Sequence, residues 1–419
     1  MIRPSFSPAG PRFARVAWIL LDWAASAFST VLITLVVAYV EKVVFAGGAW
    51  GVAPGVIWAR TIAVAMLASA VLTPWAAAWA DRRHAHERAL IASVVVGVAG
   101  LVLLAAAPPA ARLAVTASVV AASIGFDLAT VFAGSLLARI AAGRDADRLS
   151  ARGFAAGYAG GALALVAGTA LVAAHDRLGL TTAGGLRAAF ALTGAWWLVF
   201  SLPAAAARFG DGRGSPHAAT SGSELVAFAR SLAGGAADGA TRRVGGVLLG
   251  AVLVLGAVQT AISQFSSVAL EEFDLDGPAL VRLVLLVQAV ALPGALGFGW
   301  LSTRLGRPRA LAVAIAGWIA VLVLAWFVRN PAELHGLAVL LAVVLGGIQS
   351  VIRATVATLA PAGREGVTFG LSQVGTKLAG FVASLAFAEL HVASGSPRAG
   401  LAALVAQILV GWWLLRRTA

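Results

Sequence analysis

The chain has 419 residues, of which 60% are hydrophobic and only 12% charged, and its formal net charge is +13. Apolar stretches of about 20 residues, each enough to cross a bilayer core of about 30 Å, recur from end to end. That excludes a soluble globular domain and predicts an all-α polytopic membrane protein. The positive charge falls in short loops between the stretches, where it sets membrane orientation, so no nucleic-acid partner is expected. The sequence contains no Cys, which removes disulfides, thiolate metal sites and cysteine nucleophiles together.

The first predicted span, 14–40, is too long for the apolar core of a signal peptide and is read as a retained helix. Asp22 lies inside it, and Asp22, Ser26, Thr30 and Thr34 step by four, which forms one polar stripe on an apolar cylinder. A carboxylate inside an apolar span costs several kcal/mol unless it faces a partner or a cavity, so such residues are functional candidates. The second and third spans, 56–80 and 89–107, flank Asp81, Arg82 and Arg83 in a short loop. This group reads as a conformational latch at the cytoplasmic mouth rather than a ligand site. In the fourth span, 113–138, Ser123, Asp127, Thr130 and Gly134 share a face. The fifth, 153–174, opens with Gly153, Gly157 and Gly161 at four-residue spacing, a signature of close helix packing. The sixth is 188–207. Its Trp196-Trp197 pair, like Trp412-Trp413 near the end of the chain, reads as interfacial or packing aromatics.

Residues 208–243 read as a cytoplasmic linker rich in Gly, Ser, Pro and Arg, with 224–232 as a short surface helix. The linker divides the chain into two six-helix halves, 1–207 and 244–419. The seventh span, 244–268, repeats the polar stripe of the first with Gln259, Ser263 and Ser267. The eighth, 279–302, is followed by Arg304, placed like Arg82 and read as a second gating residue. The ninth is 310–328. The tenth, 334–360, carries Gln349 and Arg353 one turn apart, and the eleventh, 367–389, carries Lys377; the twelfth is 399–415. Hydroxyls in such helices often bond their own backbone, and buried charges sometimes form permanent structural pairs. Against that bland reading stand two acids and two bases in otherwise apolar helices.

Arginines crowd the loops on one side, at 82–83, 144–152, 208–243 and 304–309, whereas the other side holds few cations and the acidic run at 271–276. With an even span count this predicts both termini in the cytoplasm. An Ala- and Arg-rich composition with short loops points to a bacterial inner membrane. All six histidines fall in or beside loops, so no histidine relay is expected across the membrane. The sequence holds no phosphate-binding loop, no nucleophile elbow and no metal-ligand motif. The expectation is therefore a non-enzyme without cofactor or resident metal, either a facilitative carrier or one whose uphill work draws on an ion gradient or on a separate partner.

Several segments carry a family resemblance: Asp22-Trp23-Ala24-x-Ser26-Ala27-Phe28, Ile124-Gly125-Phe126-Asp127, Arg152-Gly153-Phe154-x-x-Gly157-Tyr158, Trp196-Trp197-x-x-Phe200, Val258-Gln259-Thr260, Gly347-Ile348-Gln349-Ser350-x-x-Arg353, and Phe369-Gly370-Leu371 with Lys377. Together they resemble the vacuolar amino-acid effluxer family of autophagy and its bacterial relatives, a branch of the major facilitator superfamily. Ala25 stands where that family usually has Asn, Leu255 and Gly256 stand where it has polar residues, and Thr303 stands where it would carry Asp. The resemblance implies a transporter with two pseudo-symmetric halves and a site at the level of the first, fourth, seventh and tenth helices. The resulting expectation is a carrier of a small organic solute such as an amino acid or other zwitterion, with protons as the candidate coupling ion. Its site would hold Asp22, Ser26, Asp127, Gln259, Gln349, Arg353 and Lys377. In that scheme Arg353 holds the cargo carboxylate, and Lys377 pairs with Asp22 or Asp127 in one state of the cycle. The competing expectation is a membrane scaffold or lipid-moving protein in which the four charges pair permanently.

Overall fold

The apolar runs fold as twelve long helices in the computed structural model, which describes residues 10–49, 51, 54–210, 239–273, 277–360, 362–394 and 397–418. The expected surface helix at 224–232, the side chains of Ser263 and Ser267, and Asp274 and Asp276 of the acidic run lie outside the described residues.

Helix α1 runs through Pro11–Val44, with Pro11 in its first turn, where a missing N–H costs nothing. Two π-helical turns, Leu32–Val36 and Val40–Val44, widen its second half. Then follow α2 Pro54–Arg83, α3 His86–Ala106, α4 Arg112–Ile140, α5 Arg144–Ala173 and α6 Thr182–Ala206. The second set is α7 Gly239–Phe273, α8 Gly277–Leu305, α9 Arg307–Leu324, α10 Pro331–Leu359, α11 Glu365–Ser394 and α12 Pro397–Thr418. Among the described residues, eleven helices are apolar enough to cross a membrane by composition. Helix α11 is 30 residues long.

Helix starts follow local chemistry. Thr181 caps α6 by accepting from Gly184 N at 3.1 Å. Asn330 caps α10 by accepting from Glu333 N at 3.0 Å, while Glu333 reaches back to Arg329 N at 2.6 Å. A cap of this kind contributes about 1 kcal/mol. Helix α5 starts nine residues before the predicted span. Its first turns carry Asp145, Asp147 and Arg148, so it is helical beyond the stretch that hydropathy detects.

The described residues form two compact units, one of residues 1–140 and 156–212, the other of 141–155 and 213–419. The opening turns of α5 thus belong to the second unit and the remainder of that helix to the first. Within the first unit α4 packs on α1, α2 and α3, and α6 packs on α1 and α3. Within the second, α10 packs on α7, α8 and α9, and α12 packs on α7 and α9. The pairings are the same after a shift of six helices, so the repeat that is faint in sequence is plain in packing.

A matched pair of arginines repeats with it. At the start of α6, Arg187 donates from Nε to Ala105 O at 2.6 Å and from Nη2 to Ala106 O at 2.9 Å, at the end of α3. At the start of α12, Arg398 donates to Trp326 O at 3.0 Å and Val328 O at 2.9 Å, just past the end of α9. Each guanidinium meets carbonyls left over at a helix C-terminus and the negative end of its dipole.

Candidate functional site

In the first unit the α1 segment Asp22–Phe28 is a packing hub. Trp18, one turn before Asp22, donates its indole N–H to Ala133 O of α4 at 2.7 Å, which fixes α1 against α4. Trp23 stacks on Trp196 of α6 with centroids 5.5 Å apart, and Phe28 stacks on Trp197 at 5.4 Å. Trp197 lies over Gly97 of α3, whose missing side chain makes room for the ring. The tandem tryptophans of α6 are thus packing residues, with Trp197 buried. Those of α12 face outward in part, with Arg417 over the Trp413 ring at 4.0 Å.

Helix α5 reaches α1 through its glycines. A Cβ at Gly157 would crowd Ser26 Oγ and lie 3.3 Å from Asp22 O, and one at Gly160 would strike Trp23 O. The glycine spacing read from sequence as packing therefore sets the back wall of the polar stripe. Asp22 and Ser26 are half-buried there. Thr34 Oγ1 bonds Thr30 O at 2.7 Å, four residues back, so this hydroxyl is satisfied inside its own helix.

On α4, Asp127 and Ser123 are both buried and lie one turn apart on one face. Ser123 Oγ has no hydrogen-bond partner among the described residues. Phe126 is in ring contact with Phe28 at 5.3 Å, which ties the α4 segment around Asp127 to the hub. Thr130 is exposed and bonds Phe126 O at 2.9 Å.

In the second unit Arg353 of α10 is held by the opening turns of α5. Its Nε donates to Ser150 Oγ at 3.0 Å and its Nη2 to Ser150 O at 2.9 Å, and its guanidinium lies 4.0 Å from the Phe154 ring centroid. Ser150 Oγ in turn donates to Ser350 O at 2.8 Å. Gln349 is half-buried one turn before Arg353, Gln259 of α7 is exposed, and Lys377 of α11 is half-buried. On α11, Gly375, Ala379 and Gly380 lie against α7, and Thr260 of α7 bonds Gly380 O at 3.0 Å and lies 3.2 Å from Ser384 Oγ. A Cβ at Gly375 would touch Val252, and one at Gly256 would strike Ala379. Gly256, where the resembling family has a polar residue, is thus required by helix packing.

Of the expected gating residues, Asp81 is buried with its carboxylate 2.9 Å from His86 Nε2, and His86 Nδ1 lies 2.8 Å from Ser135 Oγ of α4. Arg82 is exposed. Arg304 is exposed, with its guanidinium 5.4 Å from the Trp300 ring centroid. A contact that sequence reasoning missed lies nearby in the chain: Arg307 donates to Asp147 Oδ1 at 2.6 Å, and Arg307 also reaches Gly143 O. Asp147, Ser150 and Ser135 escaped notice, and His86 was read only as a histidine beside a loop. An acidic first turn reads as dipole compensation, and a histidine between arginines reads as solvated loop.

Comparison with known proteins places this arrangement. The family described as vacuole effluxer Atg22 like matches residues 141–418, more than half of the chain. An uncharacterized MFS-type transporter of Bacillus subtilis (strain 168), YxiO, is 26% identical over 401 residues, which cover 94% of this chain and 92% of that one. Among solved structures, the fucose:proton symporter FucP of E. coli aligns with a TM-score of 0.74 at 14% identity, covering 97% of this chain and 98% of that one. The proton:xylose symporter XylE aligns at 0.69 and 13% identity, covering 97% and 94%. Those two likenesses show the fold. With the six-helix repeat of packing and the α1 and α10 motifs already in place, the chain belongs to the Atg22-like vacuole effluxer family and has the major facilitator fold.

Proposed function

We propose that the protein is a secondary transporter of a small zwitterionic solute, with amino acids the leading class, working by alternating access in a bacterial inner membrane with both termini cytoplasmic. The observation that carries this reading is the division of charge. Asp22 and Asp127 belong to the first unit, and Arg353 and Lys377 to the second, each inside a predominantly apolar stretch of its helix. A zwitterion offers an ammonium for the acids and a carboxylate for the bases. Ser123 Oγ, buried beside Asp127 without a partner among the described residues, supports a polar guest on that face. Arg353 is oriented by Ser150 and Phe154, and a pre-oriented guanidinium suits a two-point contact with carboxylate. Lys377 has the role of charge partner to an acid during the cycle. Asp22 and Asp127 are the candidate proton carriers. Asp81, Arg82 and Arg304 remain the proposed gating group, joined by His86, Asp147 and Arg307.

Purified protein in liposomes preloaded with unlabelled amino acid should take up the same labelled amino acid by counterflow. A panel of amino acids, sugars and organic acids identifies the class. Counterflow with neutral sugars alone would overturn the zwitterion reading, and no counterflow with any solute would overturn transport.

A further inference from the structure

Several buried hydroxyls of the first unit are satisfied by the carbonyl one turn back. Thr61, Ser93, Ser118 and Thr193 each bond the residue four before them at 2.7–2.8 Å. Two hydroxyls of α2 depart from this habit. Ser69 and Thr73 are 0% and 1% exposed, yet neither oxygen has a hydrogen-bond partner among the described residues. They lie one turn apart and continue the buried stripe that Thr61 and Ala65 begin. Pro74 follows Thr73 inside the helix and has no N–H, so Ala70 O also lacks its usual donor within α2. Buried polar groups are nearly always paired, and an unmet one is costly. This turn of α2 therefore points to a polar guest.

Ser123 and Asp127 stand at the same depth on α4. Short connections at 84–85 and 107–111 make α2, α3 and α4 alternate in direction, so α2 and α4 run the same way, and they pack on each other. His86 ties the two at one level, with Nε2 2.9 Å from the Asp81 carboxylate of α2 and Nδ1 2.8 Å from Ser135 Oγ of α4. Eight residues back from each anchor, about 12 Å at 1.5 Å per residue, are Thr73 and Asp127. One turn further back are Ser69 and Ser123, whose hydroxyl also has no partner among the described residues. One carboxylate and three unmet hydroxyls thus share one band of the first unit. With Asp127 assigned to the cargo's ammonium, the hydroxyls are left for its side chain. We propose that Ser69, Thr73 and Ser123 select that side chain, and that the cargo is an amino acid carrying a hydroxyl or an amide there. Such groups donate and accept, as the three hydroxyls do, whereas an apolar side chain would leave all three unmet. This selection rests on the zwitterion reading of the site and narrows it to one class of amino acid.

Counterflow in liposomes with matched cargo pairs tests it: threonine against valine, and asparagine against leucine, each pair close in shape and different in polar atoms. A site built to hydrogen-bond a cargo group strongly rejects the analogue that lacks it. The wild-type protein should therefore carry the polar member of at least one pair tenfold or more faster than its apolar partner. Thr73→Val and Ser69→Ala each remove one unmet hydroxyl, so neither should lower the melting temperature. Each should cut the preference several-fold while apolar counterflow persists or rises, and Thr73→Ser, which keeps the hydroxyl, should retain it. Apolar members carried as fast as polar ones by the wild type would overturn the selection and leave the zwitterion reading standing; that comparison needs no variant to fold. A preference unchanged in folded Thr73→Val and Ser69→Ala would overturn the assignment to α2. No counterflow with any amino acid would overturn the zwitterion reading and the selection together.

Discussion

Asp22 is half-buried between two anchored turns: Trp18 fixes the turn before it to α4, and Trp23 stacks on α6 beside it. Its backbone is therefore set by neighbours, and a change at its carboxyl group should leave the fold intact. Asp22→Asn keeps the shape and removes the charge. The expected outcome is at least about a tenfold loss of counterflow, equivalent to about 1.4 kcal/mol of lost interaction, with unchanged expression and melting temperature. Normal counterflow in Asp22→Asn would remove this carboxylate from both cargo binding and coupling. Arg353 differs because its fork already engages Ser150 and Phe154. Arg353→Lys replaces a planar fork with a point charge, so cargo affinity should fall about tenfold or more. Ser150→Ala, which removes only the orienting hydroxyl, should give a smaller loss in the same direction. Equal cargo affinity in wild type and Arg353→Lys, measured by titration calorimetry, would confine Arg353 to holding α5. Arg187 makes no claim on function: Arg187→Ala leaves two carbonyls at the end of α3 without their charged donor. That should destabilise the first unit by about 1.5–3 kcal/mol, read as a lower melting temperature in detergent.

At the scale of elements, the glycine face of α5 is the most exacting contact with α1, because Gly160 abuts the backbone carbonyl of Trp23. Gly160→Leu would drive a side chain into that backbone, and overpacking of this kind costs about 1–3 kcal/mol. The expected result is lower yield of folded protein, whereas Gly157→Ala should fold and disturb Ser26, reducing transport more than stability. Thermal melts and counterflow on the same preparations separate the two. The twelve helices were legible in the sequence because an apolar run long enough for a bilayer leaves little else to predict. Asp22, Asp127, Arg353 and Lys377 were legible for the converse reason, since a charge in such a run stands out. What stayed hidden lies where α5 continues past its apolar run. Residues 144–152 are polar, and hydropathy marks the bilayer rather than the helix, so Asp147 and Ser150 read as loop. Their partners Arg307 and Arg353 lie 160 and 203 residues away, a distance no local pattern bridges. His86 was placed correctly beside a loop, yet its full burial against Asp81 and Ser135 follows from the packing of α4, which composition does not encode.

For the whole molecule, the repeat of packing sharpens the expected orientation. If α1 to α12 each cross once, the α2–α3, α4–α5, α6–α7, α8–α9 and α10–α11 junctions share one side with both chain ends. Those junctions and the helix ends beside them carry the arginine clusters, including Arg82, Arg148, Arg208 and Arg309, and the end of α12 adds Arg416 and Arg417. The opposite side has few cations, and three of them are held by the protein itself. Arg187 and Arg398 bond helix-end carbonyls, and Arg112 lies 5.5 Å from the Phe45 ring centroid. By the positive-inside rule the expected orientation has both chain ends in the cytoplasm. The absence of Cys makes the native chain a ready background for single cysteines. Arg208, Arg329 and Arg417 are all exposed and make suitable sites. In intact cells a membrane-impermeant maleimide should label Arg329→Cys and spare Arg208→Cys and Arg417→Cys, and all three should react once the membrane is opened. Labelling of Arg208→Cys in sealed cells would mean that an odd number of crossings precedes it. The six-and-six division would then fail, however well the helices of each unit pair.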